Sequence, residues 1–432
     1  MKVLVAGALG FIGRHIVAAL RERGHEVVAA VRAERCGELP TGVVPLACDF
    51  ERDLDPAVWL PRLAGVDAVV NAAGVLKATR ERFEAIHAQA PLAIARAAAE
   101  LRLRRFVQIS ALGDPGDGEF LASKHRGDAA LLGCGLPTTV LRPSLVYAFA
   151  GSYGGSSLLR ALAAAPWLLP VPGLGRQPIA PLHARDLAAL VLAALERPGG
   201  DTAVDGVHDV VGPKTMRLVD YLRALRRWLG LRPAALLPMP MPLLRVAGAL
   251  ADRFGDGPSG STMLRMLMRG NTAPAETHAR LAGNFGVTPR SLDQWQSLEP
   301  AHTQDRWHAR LYPFGPLLRW GLGLMCLLSA AAGFAQTPAQ VSVLVAPLGW
   351  PEWLAWMLGY GGSAADAVLG AMLLGNWRTR LAGRLLLALV VAYTLVLGFG
   401  LPGLWLDPWG ALAKNLALLP AILAWRVLDD RR

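Results

Sequence analysis

Short apolar runs closed by glycine or a small polar residue open this chain, and long uncharged stretches close it. Residues 2–6, KVLVA, form one such run before Gly7, and 10–24, GFIGRHIVAALRERG, space their apolar residues as an amphipathic helix that stops at Gly24. HEVVAAVR reads as a second strand, PLACDF as a third ending in Asp49, and DAVVNAAG as a fourth ending in Asn71-Ala72-Ala73-Gly74. Apolar runs without polar alternation suit strands buried on both faces, so the pattern predicts an α/β unit with a doubly wound parallel sheet. At the other end, no charged residue occurs from Trp320 to Pro351 or from Leu385 to Leu406. Since about 20 apolar residues cross a bilayer, four spans are expected, near 317–336, 354–376, 382–400 and 410–427, the second interrupted by Gly361-Gly362 and Asp366.

Composition agrees with a membrane part. Of 432 residues, 53% are hydrophobic and 18% charged, below the roughly 25% charged of soluble domains. Cys36, Cys48, Cys134 and Cys326 show no paired spacing, so neither a metal site nor a disulfide framework is indicated. Reduced thiols facing a cytosol are the reading. The net charge of +11 is spread as arginine over helices, without the basic blocks and interleaved aromatics of a nucleic-acid binder. It suits a basic face toward anionic lipid. Lys2 and the apolar run after it look like a signal peptide, but three glycines at fixed spacing and Arg14 argue for a strand and a phosphate turn.

That turn is G-x-x-G-x-x-G, with Gly7, Gly10 and Gly13 placed after a strand and before a helix. Gly7 permits the tight turn, Gly10 lets backbone approach a pyrophosphate, and Gly13 allows close helix-to-strand packing at the positive helix end. Ala8, Phe11 and Ile12 complete the phosphate-facing segment. The second strand ends at Val31 and Arg32 where NAD enzymes usually carry an acid. A guanidinium there suits a 2′-phosphate, so NADP(H) is favoured over NAD(H); the plainer reading is a solvated strand end. Asp49 and Phe50 sit where an adenine would lie, and Ala72, Ala73 and Gly74 leave room for the cofactor.

Taken together, GALGFIG, NAAG, RRFVQISALG with Ser110, LRPSLVYAFAG around Pro143, PLHARDLA around His183 and Asp186, and VVGPKTMRLVDYL around Gly212 and Pro213 resemble the extended and atypical short-chain dehydrogenases/reductases. The resemblance covers about residues 1–300, extends to RGNTAP and FGVTPRSL, and is nearest the type related to the respiratory complex I accessory subunit. It implies a Rossmann domain over 1–150 and a substrate-side subdomain over 151–302, with SYGGSSLLRAL and PVPGLGRQP at the cleft entry. The family's chemistry uses a tyrosine four residues before a lysine, with a serine one strand earlier. Ser110 and Lys124 match as catalytic residues, but the tyrosine position is Phe120 in FLASK. Losing that acid/base removes roughly 10²- to 10⁴-fold in rate. Tyr147, Tyr153, His125 and Ser123 have the wrong spacing, and His125 and Ser123 read as helix-surface residues. Lys124 keeps a role on the ribose hydroxyls, so binding is better supported than turnover. The segment LLPMPMPLLRVAGALADRFG either packs on the sheet domain or forms a greasy lip facing a bilayer or a lipid-like substrate.

Residues 303–432 resemble the DoxX-like four-helix membrane family in hydropathy, span number and an arginine-rich central loop. Trp320, Trp350, Trp353, Trp377, Trp405, Trp409 and Trp425 fall near the span ends, as an interfacial belt. Arg306, Arg310 and Arg319 precede the first span, Arg378, Arg380 and Arg384 separate the second and third, and Arg426, Arg431 and Arg432 follow the fourth. Positive residues stay inside, which predicts a multi-pass inner-membrane protein with both termini and the nucleotide domain cytoplasmic. Asp366 is either a functional intramembrane carboxylate or a wet helix end. Two functions follow: an oxidoreductase or isomerase on a small hydrophobic, quinone- or lipid-like substrate, or a non-catalytic dinucleotide module that stabilises or regulates a membrane protein complex.

Overall fold

In the computed structural model, which describes residues 1–198, 201–255, 260–408 and 410–429, the apolar runs of the first 210 residues become one seven-stranded sheet. Its strands are β1 (Lys2–Ala6), β2 (Glu26–Val31), β3 (Val44–Ala47), β4 (Ala68–Asn71), β5 (Arg105–Ile109), β6 (Thr138–Pro143) and β7 (Gly206–Val210). All neighbours are parallel, in the order β7-β6-β5-β4-β1-β2-β3. Val3 to Ala6 are 0% exposed, as expected of a strand covered on both faces. The seventh strand comes from well beyond residue 150.

Helices α1 (Phe11–Glu22), α2 (Glu119–Leu132) and α3 (Ala184–Glu196) cover the sheet. Ile16, Val17 and Leu20 of α1 share one core with Leu187, Leu190 and Val191 of α3, and Leu131 of α2 joins Trp59, Ile94 and Phe106 in the core on the other face. The strand order reverses between β1 and β4, and in doubly wound sheets the crevice outside the carboxyl ends of such strands is where ligands bind. Beyond β6, a two-stranded parallel ribbon pairs Leu168–Pro172 with Ala235–Met239, and Tyr147, Phe149, Tyr221, Leu222 and Trp295 build a further core. Helices α4 (Met241–Phe254) and α5 (Ser261–Arg269) follow the ribbon.

The chain divides into two compact units, one from Met1 to Arg306 apart from Arg253–Gly255, the other taking those three with Trp307–Arg432. In the second unit α6 (Phe314–Phe334), α7 (Glu352–Leu374), α8 (Thr379–Gly400) and α9 (Asn415–Asp429) are the long helices. Small residues bring them together, as in membrane helix pairs: a Cβ on Gly370 of α7 would stand 2.9 Å from the Gly323 carbonyl of α6, and one on Gly362 would strike the Tyr393 hydroxyl of α8 at 1.9 Å.

Three expectations change here. Among the described residues three helices, not four, are long and apolar enough to cross a membrane: Thr303–Phe334, Glu352–Leu374 and Thr379–Gly400. The fourth expected span is the 15-residue α9, which starts only after Lys414. Helix α7 runs unbroken through Gly361-Gly362, and Asp366 is in its interior, 9% exposed, accepting a 2.9 Å hydrogen bond from Ser329 Oγ. The wet helix end is therefore excluded. Trp320, Trp353 and Trp377 are exposed, whereas Trp425 is 1% exposed in the helical core beside Leu386 and Ile422, so it does not belong to an interfacial belt. Trp409, Arg431 and Arg432 lie outside the described residues.

Candidate dinucleotide site and its lysine corner

The turn after β1 is shaped by missing side chains. Gly7 has φ +74°, in the left-handed region that favours glycine, and a Cβ there would meet Ala73 backbone at 2.8 Å. A Cβ on Gly13 would come 2.1 Å from the Gly7 carbonyl oxygen. These two glycines lock the β1 turn onto the β4 turn and α1 onto both. Gly10 is exposed and caps α1, with only the Gly7 oxygen near its Cβ position. The first turn of α1, whose amides have no carbonyl partner within the helix, and the positive end of its dipole lie at this turn, the setting in which phosphate binds. Ala8 and Gly13 are buried, while Phe11 and Ile12 are half-buried beside the turn.

Arg32 is exposed immediately after β2. The next arginine, Arg35, is held by Glu38 at 3.0 and 2.9 Å and is not offered to a ligand. Asp49 lies two residues beyond the end of β3, half-buried, accepting from the Glu51 amide at 2.9 Å with Arg52 at 3.6 Å. Phe50 stacks near Trp59, ring centroids 6.0 Å apart. Ala72, Ala73 and Gly74 follow β4, and Asn71 Oδ1 accepts from the Ala73 amide at 3.1 Å, fixing the turn. A nicotinamide dinucleotide fits this set: a cradle that Cβ atoms would fill, a positive helix end and an exposed cation beyond the second strand.

Lys124 of α2 is 5% exposed and donates to the carbonyls of Ala73 and Ile109, both at 3.1 Å, so it clamps the ends of β4 and β5. Burial pushes its pKa down to about 8, against the pull of Asp128. An amine near that value can hold or release a proton close to neutrality. Ser110 is 6% exposed and donates to Asp128 Oδ2 at 2.8 Å, where Arg142 Nε also donates at 2.9 Å. Its proton is committed to this internal network rather than offered to a substrate oxygen.

Phe120 stands among aromatic rings, with His87 at 5.6 Å and Phe83 at 6.3 Å between centroids. His87 is fully buried on a single π-helical turn, Ala85–Gln89, a feature common at functional sites. Its Nε2 accepts from the Val75 amide at 3.1 Å, so the ring proton lies on Nδ1, 2.8 Å from Ser123 Oγ. Ser123 in turn donates to the Phe120 carbonyl at 3.1 Å. Burial first, and Lys124 second, push the His87 pKa down to about 2, so the ring is neutral. Ser123 is 0% exposed, which overturns its reading as a surface residue. His125 is half-buried with Nε2 3.3 Å from the Ala111 carbonyl. Sequence reasoning missed His87, 37 residues before Lys124, because no local pattern marks a π turn.

The remaining polar residues of the quoted motifs are structural. His183 Nδ1 accepts from the Arg185 amide at 3.3 Å to cap α3 and stacks on Trp295 with centroids 3.8 Å apart. Asp186 accepts from Trp295 Nε1 at 2.8 Å and the Arg290 amide at 3.0 Å, tying the 290s to α3. Burial dominates in raising its pKa. Tyr147 is buried in the subdomain core and Tyr153 is 58% exposed. Among the described residues no group of three or more acidic, histidine or cysteine side chains could hold a metal.

Residues 3–205 match the NAD dependent epimerase/dehydratase family, and residues 323–423 match the DoxX-like family. A ceramide reductase of Caulobacter vibrioides is 30% identical over 263 residues, 58% of this chain and 78% of that protein. The mitochondrial NADH-ubiquinone oxidoreductase 40 kDa subunit of Neurospora crassa is 29% identical over 217 residues, 49% of this chain and 56% of the subunit. Among solved structures, the UDP-glucose 4-epimerase of Thermus thermophilus in complex with NAD is 19% identical with a TM-score of 0.51, covering 72% of this chain and 99% of that one. The corresponding epimerase of Thermotoga maritima with UDP-glucose is 17% identical with a TM-score of 0.52, covering 69% and 97%. At such identities these two show the fold.

Proposed function

Because the chain belongs to the NAD-dependent epimerase/dehydratase family of extended short-chain dehydrogenases/reductases, with a DoxX-like domain behind that unit, we propose that it binds NADP(H) in preference to NAD(H) and acts as an oxidoreductase on a hydrophobic, lipid-like carbonyl or alcohol drawn from the membrane. The observation that carries this reading is Lys124, buried with its ammonium on the Ala73 and Ile109 carbonyls and its pKa pushed down by burial to about 8, at the carboxyl ends of the strands beside the glycine turn. Gly10 and the first turn of α1 would hold the pyrophosphate at the turn that Gly7 and Gly13 shape, Arg32 would hold a 2′-phosphate, and Lys124 would hold the nicotinamide ribose. The reduced cofactor supplies a hydride equivalent when bound. The protein must then supply a proton to the substrate oxygen, and with Phe120 in place of the phenol the Lys124 ammonium is the protonated group at that corner. The similarity to a ceramide reductase supports a lipid-like substrate class.

A second reading has its own support: a dinucleotide-binding module that stabilises a membrane protein complex. Phe120 cannot transfer a proton, Ser110 is engaged by Asp128, and one relative is a complex I subunit. The arginine distribution supports placing the nucleotide unit on the cytoplasmic side in either reading. Titrating NADPH and NADH into the detergent-purified full chain, then adding a long-chain ketone to the saturated complex, separates the two. Binding followed by ketone-dependent loss of reduced cofactor supports the oxidoreductase; binding without oxidation supports the module.

A further inference from the structure

Helix α4 turns its apolar face outward. Leu243, Val246 and Leu250, at helical spacing, are 55%, 59% and 54% exposed, while Gly248 on another face is buried. The ribbon that leads into the helix is equally bare, with Leu168, Leu236 and Leu237 exposed and Trp167 at its end 84% exposed. Soluble surfaces rarely leave so much apolar side chain together without a partner. Residues 165–178 and 229–240 contain the exposed Arg176 and Arg232 and no aspartate or glutamate, while on α4 Arg245 and Asp252, seven residues apart, share a face other than that of the leucines. Exposed leucine and tryptophan flanked by arginine is the make-up of a surface that lies in the head-group region of anionic lipid.

The place of this surface is fixed by three bonds. Lys77 Nζ donates to the Ala251 carbonyl at 3.1 Å, which ties the end of α4 to the loop after β4. Arg265 and Arg269 of α5 donate to the Asp117 carbonyl at 2.6 Å and to its side chain at 2.5 Å, beyond β5. The end of α4 and helix α5 therefore border the same sheet edge that carries Gly74 and Lys124.

We propose that the exposed face of α4, together with Trp167 and the ribbon leucines, docks into the head-group layer of an anionic bilayer, so that the mouth of the cleft opens against lipid. The bilayer is the occupant because, among the described residues, three helices are long and apolar enough to cross one, and because Arg176 and Arg232, exposed in the two ribbon segments, complement anionic head groups. The consequence for substrate entry rests on the function proposed above; the docking itself rests only on the surface.

The test uses the full chain in nanodiscs of phosphatidylcholine with or without phosphatidylglycerol. A nitroxide is placed at Val246→Cys, with Cys36 and Cys134 replaced by serine, and a control label at the exposed Glu22→Cys. Collision with oxygen, which concentrates in lipid, and with a water-soluble nickel chelate is read by electron paramagnetic resonance. Docking gives a Val246→Cys label reached several-fold better by oxygen than by nickel, more so with anionic lipid, while the control shows the reverse. A nickel-accessible label would overturn the proposal, as would a label reached by neither, which would place protein, either another part of the chain or a second copy, over the face. NADPH binding measured on the same discs is independent of this outcome, so failure of docking and failure of the dinucleotide reading are distinguishable.

Discussion

Two stretches of one sheet edge, the glycine turn after β1 and the lysine corner at the ends of β4 and β5, are organised in opposite ways. The turn is made by absence: Cβ atoms at Gly7 and Gly13 would strike backbone, and what remains is a close-packed turn at a helix N-terminus whose first amides have no carbonyl partner within the helix. The corner is made by filling: Phe120, Phe83 and His87 pack where a phenol would act, and the polar groups of His87, Ser123 and Ser110 are occupied by one another, by backbone or by Asp128. Binding geometry can thus persist beside a rebuilt catalytic corner, because the two depend on different residues and different forces. Lys124 belongs to both.

The largest effect should come from changing the corner toward the family pattern. Phe120→Tyr restores a phenol four residues before Lys124 and should raise carbonyl reduction by about 100-fold, within the range for a general acid, when NADPH oxidation is followed with a long-chain ketone; no gain would favour the binding module. Changing the turn should be nearly as severe: Gly13→Val forces side chain into the Gly7 carbonyl, costing about 1–3 kcal/mol by overpacking, and should abolish saturable NADPH binding by fluorescence. Arg32→Ala should cost NADPH roughly 10-fold in affinity, the worth of a charge-assisted hydrogen bond, and leave NADH unchanged.

Smaller effects depend on pH. The Lys124 ammonium, not the amine, holds ribose hydroxyls, so dinucleotide affinity should fall as pH rises through about 8, and Lys124→Met should lose that dependence. His87 is smallest in effect. With its pKa at about 2 folded against 6.5 for the free side chain, the unfolded chain binds a proton between those values that the folded chain does not. Stability is therefore full above 6.5 and declines as pH falls below it. His87→Gln should flatten that part of the denaturation midpoint against pH, and an unchanged slope would remove His87 as its source.

How much of this was legible without coordinates follows the same division. The glycine turn was readable because its constraints are local: three glycines, a strand before and a helix after. The exchange of Tyr for Phe120 was readable for the same reason. The His87–Ser123 bond joins residues 36 apart in sequence, and burial of Ser123 depends on how α2 lies against the π turn, so a polar residue beside a lysine read as solvent-facing. Helix ends were poorly legible in the helical unit, where apolar composition runs past the turns; the helix after Lys414 proved shorter than its apolar stretch, and Trp425 turned inward. Asp366 was visible as an anomaly, but its partner Ser329 is on another helix.

The most direct test of the account is an equilibrium titration of NADPH and NADH into the detergent-purified full chain, beside Gly13→Val, followed by nicotinamide fluorescence. Saturable binding of both, tighter for NADPH and absent in the variant, is the predicted result. No saturable binding by the wild-type chain, or equal binding by Gly13→Val, would contradict the claim that this cradle holds a dinucleotide.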